Sequence, residues 1–148
     1  MKKNTDELMF ALKNETESIE GYLENNKDEL IKIDIRKMWD GFISKSGLSK
    51  VDIIERSSCG YNYFYCIING DKTPSRDKII ELSIAMNLSV DDCQTALKYC
   101  GKAPLYPRVK RDSIIIYGLN EHQPISEINK ALKNNGEKTL KIGSEKNG

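Results

Sequence analysis

No stretch of this chain approaches the ~20 consecutive apolar residues that a bilayer-spanning helix needs, so no membrane association is expected. The opening run, Met1-Lys2-Lys3-Asn4-Thr5-Asp6, lacks the apolar core of a secretory signal, which points to the cytoplasm. Histidine occurs once, at His122, with no serine, cysteine or aspartate neighbour at catalytic spacing, so it reads as a surface residue. The four cysteines, Cys59, Cys66, Cys93 and Cys100, form no C-x-x-C pair. Cys59 with Cys66 and Cys93 with Cys100 are each spaced i, i+7, which on a helix puts the partners about two turns apart, too far for a disulfide. They read as small buried hydrophobes, and neither a metal nor a cofactor is expected. Gly41 and Gly47 belong to no G-x-x-x-x-G-K-[ST] phosphate loop. No paired carboxylates and no nucleophile–base set can be assembled, so an enzyme is not expected. Internal repeats and low-complexity segments are also missing.

What is present is ordinary in bulk and uneven in distribution. Hydrophobic residues make up 39% and charged residues 30% of the 148, the balance of one globular domain or of one with a helical appendage. The net charge is only +1, so indiscriminate attraction to nucleic acid is excluded as the main activity. Residues 1–31 carry eight acids against four bases, and the remainder is weakly basic. A body able to touch phosphates therefore follows an acidic arm.

Apolar residues recur at helical spacing along the chain, which predicts at least six helices and no sheet of more than two strands. An acidic first helix is expected over about Thr5 to Glu24, with Leu8, Leu12, Ile19 and Leu23 on one stripe. It could serve as a dimer seam, a docked cap or a decoy competing with DNA, or simply pack on the body. A second helix, Asp28 to Lys45, would bury Ile31, Ile35, Met38, Trp39 and Phe42, and Gly47 would stop it. Later helices are expected from Ser89 to Cys100, from about Arg108 to Asn120, and from Pro124 to near Gly136. Ile114-Ile115-Ile116-Tyr117 looks strand-like in isolation, but its flanks suggest a buried helix. Arg108, Lys110 and Arg111 cluster where a helix opens and read as a solvated face, with a phosphate or an acidic partner as the alternative. The polar end, from Glu137, is expected to fray.

Residues 48–93 carry most of the functional information. In Leu48-Ser49-Lys50-Val51-Asp52-Ile53, Ser49 can cap a short helix, and Leu48 and Ile53 hold the flanking staple positions. After the tight turn Ser57-Ser58-Cys59-Gly60, a second short helix begins with Gly60 at its cap. Phe64, Ile67 and Ile68 must face inward, which leaves Asn62, Tyr65, Cys66 and Asn69 outward, with Tyr61 and Tyr63 on the shoulders. Asn69-Gly70 ends that helix, and Ser75 caps the next. Two short helices joined by a tight turn can present the second to a major groove.

Leu48 to Cys93 resembles the Cro/lambda-repressor (xenobiotic-response-element) helix-turn-helix family. The resemblance covers about a third of the chain. It rests on Leu48-Ser49, Ile53, the turn position Cys59, the connection Asn69-Gly70-Asp71-Lys72-Thr73-Pro74-Ser75, and the closing Asn87-Leu88-Ser89-Val90-Asp91-Asp92. Lys50 stands at the family's phosphate-contacting glutamine, Ile54 at its small alanine and Ser58 at its turn glycine. The segment holding Leu105-Tyr106-Pro107-Arg108 and Asn135-Gly136-Glu137-Lys138 is similar to C-terminal extensions on such regulators from Gram-positive bacteria.

The resemblance implies an all-α fold: a lambda-repressor-like helix-turn-helix bundle with an acidic N-terminal helix and a two-to-three-helix C-terminal extension. Its divisions would be 1–27 for the arm, 28–93 for the helix-turn-helix, 94–140 for the extension and 141–148 for a flexible tail. It further implies a bacterial transcriptional regulator binding double-stranded DNA, as a homodimer or with a protein partner gripped by the N-terminal helix or the extension. Lys50 and Lys72 would hold phosphates, and Tyr61, Asn62, Tyr65 and Cys66 would face bases, with Ser49 and Tyr63 completing the DNA-binding set. The helix Tyr61-Asn62-Tyr63-Phe64-Tyr65-Cys66 lacks the arginine that makes the commonest specific base contact. An adaptor or antitoxin-like protein that uses the tyrosines to grip a protein therefore stays open as the alternative.

Overall fold

The computed structural model describes residues 27–140, with side chains from Asp34 onward. The acidic helix expected at Thr5–Glu24, the tail 141–148 and the side chain of Ile31 lie outside the described residues. Seven α-helices and no strand occur among the described residues: α1 (Lys27–Ser46), α2 (Lys50–Ser57), α3 (Tyr61–Ile68), α4 (Arg76–Ala85), α5 (Val90–Tyr99), α6 (Lys110–Asn120) and α7 (Ile125–Asn134). The isoleucine run 114–116 lies inside α6, as its flanks suggested.

Local chemistry sets the ends of these helices. Ser49, Ser75 and Ser89 are the N-caps of α2, α4 and α5. Each Oγ accepts the backbone N–H three residues on, at 3.1, 3.2 and 3.1 Å. At the far ends of α3 to α7 the chain makes the same stop. The residue at C′ turns left-handed and donates three back, and the next residue donates five back, as in Asn87 to Ile84 and Leu88 to Ser83. Asn87 and His122 fill this role at φ 54° and 52°, where glycine serves α3, α5 and α7.

The centre of the molecule is α4, which packs against α2, α5 and α7. Its residues Lys78 to Ala85 are all buried, so this helix is enclosed on every side. Even its Lys78 and Glu81 are sealed, at 0% and 1% exposure, and they pair across one turn at 3.4 Å. Around it the core gathers Trp39, Ile53, Phe64, Ile67, Leu97, Ile115 and Ile128. Ile35, Met38 and Phe42 pack at its edge, half-buried, while Trp39 alone among the described residues of the expected α1 stripe is fully enclosed.

The C-terminal helices join this core, and the boundary expected at residue 93 falls within α5. Two Arg-Asp dipeptides exchange partners across the junction. Arg76 grips Asp112 through both terminal nitrogens at 3.2 and 2.9 Å, and Arg111 grips Asp77 at 3.0 and 3.0 Å. Arg76 also donates to the carbonyls of Ala103 and Pro104, and Asp112 accepts the Tyr106 N–H. Two carboxamides work in the same way on extended segments. Gln94 donates to the Leu105 carbonyl and accepts its N–H, and Asn129 does both for Leu140. In α6, Gly118 lies so close to α7 that an added β-carbon would run into the Ile128 side chain.

Two sequence-based expectations are corrected here. Residues 137–140 do not fray: Leu140 is 2% exposed, and Arg111 donates to the Lys138 carbonyl at 2.8 Å. Nor are the three cations near 110 a uniformly solvated face. Arg108 is exposed, but Lys110 donates to the Asn135 carbonyl at 2.8 Å and Arg111 is consumed by Asp77. A carboxylate and two backbone carbonyls complete their coordination, and these groups become neighbours only when the chain folds back.

Candidate nucleic-acid interface

The first short helix, α2, is amphipathic enough to be held by one side. Ile53 and Ser57 are buried, while Ser49, Lys50, Val51 and Asp52 are exposed at its N-terminal end. The turn that follows is set by Ser57, whose Oγ donates to the Ile53 carbonyl at 2.8 Å and accepts the Cys59 N–H at 3.3 Å. Ser58 takes the left-handed conformation, φ 52° and ψ 29°. Gly60 then caps α3 in extended conformation.

The buried side of α3 is Tyr63, Phe64, Ile67 and Ile68, and the helix packs against α1. Tyr63 is therefore a correction: at 4% exposure it belongs to the core and not to the shoulder of an outward face. The apolar stripe is one residue wider than the i, i+3, i+4 pattern because Tyr63 stands one turn before Ile67 on the enclosed flank. Tyr61 and Asn62 are exposed, Tyr65 and Cys66 half-buried, and Lys72 exposed in the following loop. The Cys66 carbonyl accepts the N–H groups of both Asp71 and Lys72, at 2.9 and 3.2 Å, so the loop is tied to the end of α3.

Three of the expected site residues form one assembly across two helices. The Tyr61 ring, with the residue 60% exposed, stacks at a tilt on Tyr65 with 5.0 Å between centroids. The Lys50 ammonium lies 5.5 Å from the centroid of the same Tyr65 ring. Tyr65 is braced from behind by Phe64, edge to face at 5.6 Å. Hydrogen bonding to Tyr65 raises the Tyr61 phenol above its ordinary value, the charge of Tyr65 and partial burial add to this, and the Lys50 charge opposes it.

The site is therefore a ledge: a helix N-terminus with Ser49 and Lys50, a stacked tyrosine pair, Asn62 beside it in the chain, and Lys72 in the next loop. Such a surface can hold phosphates at Lys50 and the α2 N-terminus, donate and accept at Asn62, and offer ring faces to apolar groups. Val51, exposed next to Lys50, is the residue the sequence reading passed over; an isolated valine on a polar face carries no pattern that would reveal it. Among the described residues no group of three His, Cys, Asp or Glu side chains could hold a metal ion. None of the described helices is long and apolar enough to cross a membrane. No family model, curated protein or solved structure matches the chain.

Proposed function

We propose that this chain is a non-enzymatic transcriptional regulator that binds duplex DNA sequence-specifically through α2 and α3. The reading rests on one arrangement: two eight-residue helices joined by a tight turn, with Lys50 at the start of the first standing over the stacked tyrosine pair of the second. In a helix-turn-helix the first helix crosses the phosphate backbone and the second lies in the major groove. Ser49, Lys50 and Lys72 then meet phosphates, and Tyr61, Asn62 and Tyr65 meet base edges. Asn62 can pair with adenine through two hydrogen bonds, and a tyrosine ring can pack on a thymine methyl. Cys66 is half-buried and lies at the edge of this set, and Tyr63 drops out of it.

Selection from a random duplex pool with the full chain at low salt is the test. An enriched motif is expected, its half-sites separated by one helical turn if the chain binds as a homodimer. Asn62→Ala should then cost roughly 1–3 kcal/mol on the selected site and leave the melting midpoint in place. Failure to enrich any sequence would overturn the reading. A second reading, a protein-gripping adaptor, is favoured by one observation: α3 exposes aromatic surface and carries no Arg or Lys. On that reading Asn62→Ala and Tyr65→Ala remove a protein partner and leave every DNA affinity unchanged.

A further inference from the structure

A cavity of about 490 Å³ opens where the C-terminal ends of α2 and α4 meet the start of α7. Its volume lies within the range of small-molecule sites. The apolar part of its lining comes from Ile84, Ala85 and Ile125, all buried residues. Arg56, from the last turn of α2, lines the same space and has no ion pair or hydrogen bond among the described residues. Among the described residues no acidic one lines it. In the cavity between α1 and α5, of similar size, Lys37 and Lys45 share the walls with Asp34. The cavity at Arg56 is thus a largely apolar space with an uncompensated cation.

The polar groups that complete it are donors or neutral. Ser126 and His122 line the side formed by the C-terminal helices. Pro124 caps α7 without a side-chain hydrogen bond, and the first helical bonds of α7 run from Glu127 and Ile128 to the Pro124 carbonyl. The N–H groups of Ile125 and Ser126 therefore stand outside the helix ladder, beside the space. Ser58, Asn87 and His122, the non-glycine residues with left-handed backbone among those described, all line this one cavity.

We propose that this cavity binds a small organic anion: a carboxylate or phosphate monoester on an apolar body about the size of one ring. The anionic head would meet the Arg56 guanidinium, a planar fork suited to both groups, and the body would cover Ile84, Ala85 and Ile125. The occupant would touch the turn ahead of α3 through Ser58 and the C-terminal extension through α7. It thereby gives the extension a means of acting on the helix-turn-helix. The site stands whether or not α3 enters a DNA groove.

The test is an NMR titration of the full chain with phenylacetate, phenyl phosphate and, as the neutral control, benzyl alcohol. Saturable shifts are expected at the amides of Ser58, Asn87, Ile125 and Ser126 with one or both anions, and binding of the alcohol should be at least about tenfold weaker. Response to one anion alone identifies which head group the site takes. Arg56→Gln, a change at an exposed side chain, should weaken the anion by about tenfold with an unchanged melting midpoint. No saturable shift with either anion, equal binding of benzyl alcohol, or full affinity in Arg56→Gln would each overturn the proposal.

Discussion

Ser58 holds a left-handed backbone that its β-carbon resists. Ser58→Gly should therefore stabilise the fold by roughly 0.5–1 kcal/mol. It would be read as a higher urea midpoint at an unchanged slope; an unchanged or lower midpoint would show that the turn carries no such strain. Cys93 illustrates a different residue-level effect. Burial pushes its thiol up to about 11 from an ordinary value near 9, while a hydrogen bond to Ser83 and the Arg76 charge pull the other way. The folded chain keeps this proton where the unfolded chain gives it up. The contribution to stability is complete below about pH 9 and is lost as the pH rises toward 11. Unfolding curves across that window should fall more steeply for the native chain than for Cys93→Ala, and parallel curves would contradict the assignment.

At the scale of the elements, α2 and α3 divide the labour that the proposed function needs. One presents charge from a capped N-terminus and the other presents a stacked aromatic surface, with Lys50 over Tyr65 linking them. If Lys50 neutralises a phosphate, Lys50→Ala should weaken binding to all duplexes about equally and flatten the salt dependence by a slope of about one. A changed sequence preference with an unchanged salt slope would move Lys50 from the backbone to a base. The ends of these helices were legible in the sequence. Serine at an N-cap and glycine or asparagine at C′ act through bonds within five residues, so no distant neighbour is needed. The inward turn of Tyr63 was not legible, because a tyrosine on the margin of an apolar stripe faces in or out according to what packs beside it. Here α1 packs against the helix that carries it.

At the scale of the whole molecule, the exchange between Arg76-Asp77 and Arg111-Asp112 ties α4 to α6. Asp112 is buried and accepts from Arg76 and from the Tyr106 N–H, so its removal leaves the guanidinium without its carboxylate and a backbone donor without its acceptor. Asp112→Ala should cost roughly 2–3 kcal/mol of stability. A double-mutant cycle with Arg76→Ala should return a coupling of roughly 1–2 kcal/mol, and strictly additive losses would show that the pair contributes nothing jointly. The exchange spans α4 and α6, and the C-terminal helices α6 and α7 share one core with α2 to α5. That is also why the cavity at Arg56 can be walled by both.

The sequence by itself determined the all-helical class, the serine caps, the two short helices with their turn, and the exposure of Tyr61 and Asn62. Each of these depends on periodicity or on bonds between residues close in the chain. Tertiary structure alone decided that Arg111 serves Asp77 and not solvent, that Leu140 is anchored by Asn129, and that α4 is sealed on all sides. It also brought Arg56 beside the start of α7. These outcomes join groups eleven to seventy positions apart, from Asn129 with Leu140 to Arg56 with Ser126. A charged side chain in a sequence names its own chemistry, but its partner is set by which elements the buried core draws together.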